Sequence, residues 1–88
     1  MSILVKVLTR FVEAPIEDEL VIMRLHNGDF FSLKESALAI WQLIDGRRDQ
    51  SEILAELAKL YDAPEEALYA DLDAFVLELR ASGLLIRE

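Results

Sequence analysis

The chain of 88 residues contains no cysteine. That removes disulfide frameworks and thiolate chemistry together. It has one histidine, His26, which cannot assemble a metal site alone. Its three glycines all fall at turn or cap positions, so no glycine-rich loop is available to cradle a phosphate. Positive charge is scarce: nine Lys and Arg stand against seventeen Asp and Glu, a net charge of -8. Nucleic acid and anionic membrane surfaces both attract Lys and Arg, so this balance weighs against either partner. No apolar run approaches the roughly 18 residues of a membrane span. The N-terminal "MSILVKVLTRF" is broken by Lys6 and Arg10 and has no A-x-A-like site, so it does not read as a signal peptide, and a cytoplasmic protein is expected.

What is present is a hydrophobic content of 53%, ample for a globular fold. One domain over residues 1–88 is expected, with strands in about 3–33 and helices in about 34–83. Residues 3–11 alternate loosely, with Ile3, Val5, Val7 and Phe11 on one side, and read as a strand that Pro15 stops. "EAPIEDE" (13–19) reads as a polar connector and "LVIMRL" (20–25) as a second strand. Asn27-Gly28 between apolar runs predicts a two-residue type I′ hairpin, returning as a third strand, Asp29 to Leu33. That loop would set Leu25 opposite Phe30, Arg24 opposite Phe31 and Met23 opposite Ser32. Met23, Leu25 and Phe30 then share one face, and Ile22, Phe31 and Leu33 the other. Both faces are largely apolar, so something covers part of each, or one face is a binding surface.

Three helices follow. "SLKE" (Ser32 to Glu35) fits a capping box for the first, whose apolar stripe is Ala37, Ile40, Trp41 and Ile44, with Gly46 closing it. Asp49 and Glu52 cap the second, with Ile53, Leu54, Leu57 and Tyr61 inward. Pro64 at the first helical position, then Glu65 and Glu66, opens the third. It carries Leu68, Leu72, Phe75, Val76 and Leu79 inward and ends at Gly83; "LLIRE" folds back onto the core. The class is α+β: a three-stranded antiparallel sheet followed by three helices, a winged helix-turn-helix with the wing first.

No constellation carries catalysis. The serines occupy cap-like or helix-end positions, His26 flanks a turn, and Asp71 and Asp73, two apart, do not share a helix face. No catalytic residue, metal site or cofactor is expected. DNA binding, the usual work of helix-turn-helix, is disfavoured by the third helix. There Glu65, Glu66, Asp71, Asp73 and Glu78 face Arg80 alone, a local charge of -4 that phosphates would repel.

"IWQLIDGRRDQSEILAELAKLYDAPEEALYADLDAFVLELRASGLL" (40–85) resembles the PqqD-like family. The matching features are Ile40-Trp41, Asp45-Gly46, Tyr61-Asp62, Asp71, Phe75, Leu79 and Gly83-Leu84-Leu85. "GDFFSL" matches the family's glycine–aromatic–aromatic strand, and the resemblance spans most of 19–86. It implies a RiPP recognition element, a non-catalytic module that binds the leader of a ribosomally made precursor peptide and delivers it to a modifying enzyme. In the family the leader adds as an antiparallel strand to the third strand, against the third helix. Carried over, the peptide-binding residues are Asp29, Phe30, Phe31, Ser32 and Leu33 on the strand and Asp71, Leu72, Ala74, Phe75 and Glu78 on the helix, with either Phe30 or Phe31 facing the groove. The chain departs from the PqqD proteins of pyrroloquinoline quinone synthesis. It lacks their Arg-Gly near the first strand and their Trp-rich, Pro-containing hairpin, and has "LKESA" in place of Leu-Asn-x-Thr-Gly. It looks most like the small partner protein of lasso-peptide clusters, which works with a separate leader peptidase. The alternatives are a PqqD-type peptide chaperone in pyrroloquinoline quinone synthesis, a winged-helix regulatory protein, and a structural domain that self-pairs through the hairpin edge.

Overall fold

A computed structural model describes residues 2–87. Strand β1 (Leu4–Lys6) leads through a 3-10 turn (Leu8–Arg10) into β2 (Phe11–Ile16), β3 (Glu19–Arg24) and β4 (Phe30–Leu33). Helices α1 (Glu35–Leu43), α2 (Gln50–Tyr61) and α3 (Glu65–Ala81) follow, and β5 (Leu85–Arg87) ends the order. The three-stranded antiparallel sheet has the order β2-β3-β4, and β1 pairs with β5 in a separate antiparallel ladder.

The expected strand over 3–11 is therefore two strands. The 3-10 turn redirects the chain, because β1 is claimed by the far end: Leu4 lies opposite Arg87 and Lys6 opposite Leu85. The Val7 N–H donates to the Leu84 carbonyl at 2.9 Å. The apolar tail thus returns as a strand, burying Leu84 and Leu85.

The expected polar connector is also strand. Pro15 does not stop β2; it lies inside it, opposite Leu20. The tight two-residue turn falls at Glu17-Asp18, where Ile16 meets Glu19 and Glu17 takes φ 58°. The Asn27-Gly28 turn, by contrast, belongs to a four-residue loop, Leu25 to Gly28. Arg24 N–H donates to Asp29 O at 2.8 Å, and only Gly28 there takes positive φ (75°). Asn27 Oδ1 accepts the Asp29 N–H at 3.0 Å, an Asx turn that replaces the type I′ geometry. The register moves accordingly: Met23 faces Phe30, Ile22 faces Phe31 and Leu20 faces Leu33. The reason is packing. The two-residue loop would set Arg24 against Phe31 and Leu20 against Glu35. The longer loop pairs apolar residues with apolar residues on the inner face. A shift of two leaves every side chain on its expected face.

The capping box expected at Ser32 does not form. Ser32 is held in the ladder opposite Val21, and the cap position of α1 is Lys34, which makes no side-chain cap. Asp49 and Glu52 do form a reciprocal capping box on α2: Asp49 Oδ1 accepts the Glu52 N–H at 2.9 Å and Glu52 Oε1 accepts the Asp49 N–H at 3.0 Å. Pro64 caps α3 instead of occupying its first turn, and Tyr61, expected inward, is exposed.

The core lies between the sheet's inner face and the helices. Leu4, Ile22, Ile44, Ile53, Leu72, Val76 and Leu84 are fully buried there, with Trp41 at 1% exposure. Trp41 packs edge-on to Phe11, ring centroids 5.2 Å apart, and its Nε1–H donates to Glu13 Oε2 at 2.9 Å. Lys6 Nζ sits 4.3 Å from the Trp41 ring centroid. Burial lowers the Lys6 ammonium below its ordinary value, opposed by the nearby charges of Glu13 and Asp45. Gly83 (φ 81°) closes α3 in the left-handed conformation that glycine adopts without strain; a Cβ there would also crowd Arg10 Nη1 at 3.2 Å, and that guanidinium donates to the Gly83 carbonyl at 3.0 Å.

Candidate functional site

The hydrogen-bond alternation of an antiparallel pair decides which backbone groups a strand leaves free. Arg24 donates to Asp29 O, so that pair is a bonded one. Two residues on, Ile22 with Phe31 and Leu20 with Leu33 are bonded pairs as well. Phe30 and Ser32 lie between them, so their N–H and C=O groups point away from β3. Because β4 ends the sheet, those groups stand on an open edge. The same reasoning applies to β2. Leu25 N–H donates to Arg10 O at 2.9 Å, so the free groups of β2 belong to Phe11, Glu13 and Pro15. Pro15 has no N–H to offer.

The structure divides the two phenylalanines. Phe31 points to the helix side and is half-buried against the core; Phe30, 72% exposed, points to the opposite face. Asp29 is exposed in the loop, its carboxylate accepting from Asn27 Nδ2 at 3.0 Å. Leu33 is a core residue. The Ser32 hydroxyl donates to Glu19 Oε1, carrying that carboxylate to the edge strand.

On α3 the expected residues separate by depth. Leu72 is wholly buried and can serve only as floor. Phe75 is half-buried against the same core as Phe31. Asp71, Ala74 and Glu78 are exposed and share the side of the helix that begins at Phe75. The arrangement is an open strand edge, an apolar floor and an acid-flanked helix face with a small residue at its centre. It offers main-chain pairing along the open edge beside apolar and acidic side chains.

Sequence reasoning missed Glu19, assigned to a connector, and Pro15, read as a strand terminator. Their roles depend on the β2–β3 register. Among the described residues no group of three or more His, Cys, Asp or Glu could hold a metal ion. No helix there is long and apolar enough to cross a membrane.

The chain is similar to known proteins in sequence and in fold. The family model described as coenzyme PQQ synthesis protein D (PqqD) matches residues 19–85. A curated relative, the PqqA binding protein of Rhizobium meliloti (strain 1021), is 32% identical over 76 residues, covering 86% of this chain and 76% of that protein. Among solved structures, TbiB1 in complex with the TbiA(beta) leader peptide superposes with a TM-score of 0.77 at 29% identity. That match covers 86% of this chain and 88% of the other.

Proposed function

From the premise that the chain belongs to the PqqD family, we propose that it binds the leader segment of a ribosomally synthesised precursor peptide and presents it to a modifying enzyme such as a leader peptidase. The leader adds as an antiparallel strand to β4. Main-chain hydrogen bonds to Phe30 and Ser32 supply affinity, and side chains between Phe31 and the Phe75 side of α3 supply selectivity. Asp71, Ala74 and Glu78 form the outer wall, Leu33, Leu72 and Phe75 the floor, and Asp29 the end of the edge. The observation that carries this reading is the open edge itself: two outward-pointing amide pairs, spaced by two, on a strand with no proline. The solved relative bound to a leader peptide supports it.

Two settings remain. Lasso-peptide biosynthesis rests on the departures from the quinone-pathway hairpin. Pyrroloquinoline quinone synthesis is favoured by the relative that binds PqqA. The precursor separates them. Fluorescence-anisotropy titration with leader segments from short reading frames encoded beside the gene is the test. Saturable binding to one leader, and none to its core segment, is expected. A folded protein that binds no leader sinks the reading.

A further inference from the structure

The outward face of the sheet, opposite the helices, carries two rows of side chains. Val12, Met23 and Phe30 lie opposite one another across the three strands, 49%, 38% and 72% exposed. Ala14, Val21 and Ser32 form the next row. The first row ends in an exposed aromatic ring at the open edge. The second ends in a hydroxyl bonded to the Glu19 carboxylate. Glu17 and Asp18, in the turn beside that end, outnumber the one cation there, Lys34.

We propose that this face is a second reading surface, so that a peptide added to β4 is read on both of its faces. The inference rests on the peptide-addition reading and extends it to substrate class. Phe30 and Ser32 present their backbone groups to the edge, so each forms a bonded pair with the incoming strand. In such a pair the partner's side chain falls on the same face, with Cα atoms about 5.5 Å apart. The residue opposite Phe30 therefore continues the Val12–Met23–Phe30 row, and an aromatic or large aliphatic side chain there covers the exposed ring. The residue opposite Ser32 comes two positions earlier in an antiparallel peptide. A Lys or Arg there reaches Glu19. The residue between them, opposite Phe31, points the other way, to the helices. Read from its N-terminus, the peptide presents a basic residue, an inward apolar residue and an outward aromatic one.

The test uses a phage-displayed library of random twelve-residue peptides, selected on the wild-type protein and on Phe30→Ser and Glu19→Gln. Both side chains lie outside the core, so both variants fold. Hydrogen exchange of the Phe30 and Ser32 amides locates the bound peptide. Wild type is expected to enrich the basic–apolar–aromatic triplet. Phe30→Ser loses only the aromatic preference and binds a wild-type selectant about three- to tenfold more weakly. Glu19→Gln loses only the basic preference. Peptides that protect both amides yet keep the same consensus on Phe30→Ser overturn this inference and leave strand addition standing. Peptides that leave the amides unprotected, or a library that yields no binder, overturn both.

Discussion

Along β2 the groups that point away from the sheet belong to Phe11, Glu13 and Pro15; along β4 they belong to Phe30 and Ser32. The first set is interrupted: Pro15 lacks the donor, while Trp41 packs against the Phe11 and Glu13 side chains and leaves their backbone groups outward. The second set is intact. A sheet with two equivalent edges would take up peptide on either side and would pair with its own copies. Here one proline, placed where its missing N–H would otherwise face solvent, removes a donor from the β2 edge and leaves the β4 edge whole. It does so while costing the β2–β3 ladder nothing.

The largest expected effect comes from removing what braces the β2 edge. Trp41→Ala takes away the ring against Phe11 and the donor to Glu13, and should cost about 3–5 kcal/mol in denaturant unfolding. An unchanged midpoint would mean β2 is held by its ladder alone. Next comes transplanting the block. Ser32→Pro removes an outward N–H from β4 without touching its backbone bonds to β3; a Ser32→Ala control accounts for the lost hydroxyl bond to Glu19. Leader affinity should fall about tenfold or more while the circular dichroism spectrum stays native. Equal affinity would place the peptide elsewhere. The converse, Pro15→Val, restores a donor to β2. A second, weaker peptide site or a concentration-dependent dimer should appear by native mass spectrometry. Strict one-to-one monomers would show that the Trp41 packing beside Phe11 and Glu13 closes that edge without the proline.

The smallest effect lies away from both edges and serves as their control. Asp49 is held below the ordinary aspartate value of 3.8, chiefly by the Glu52 backbone N–H and then the Ser51 hydroxyl. A carboxyl with a lowered folded pKa stabilises above its unfolded value, and that stability is lost as pH falls through the folded one. Asp49→Asn should lower the melting temperature at neutral pH by a few degrees, and the gap should close as the solution is made acid. Leader affinity at neutral pH should not move.

Patterns confined to one helix were legible in the sequence: the Asp49–Glu52 box, the Trp41 stripe and the Leu72–Val76–Leu79 seam all stand where helical periodicity puts them. Face assignments in the hairpin were legible too, because they depend only on parity. Register was not. Asn27-Gly28 suits a type I′ turn locally, but the match of Ile22 to Phe31 and Leu20 to Leu33 is a tertiary preference that the turn yields to. Ser32 was misread for the same reason, since its claim on the ladder exceeds its value as a cap. At the candidate site, strand and helix were found. Helical spacing put Leu72 inward and left Ala74 out of the stripe, as the structure has them; it was the carry-over from the family that set both in the groove.

The ladder between β1 and β5 bears on the order of assembly. Every other element pairs with a near neighbour in the chain, whereas Leu4 must find Arg87. Closing so long a loop costs only logarithmically more than closing a short one, but it waits on the search. In pulse-labelled refolding the amides of α2, α3 and the hairpins should gain protection first, and those of Val5 and Ile86 last. The groove-bearing half would then be competent to meet a peptide before the two ends have knitted.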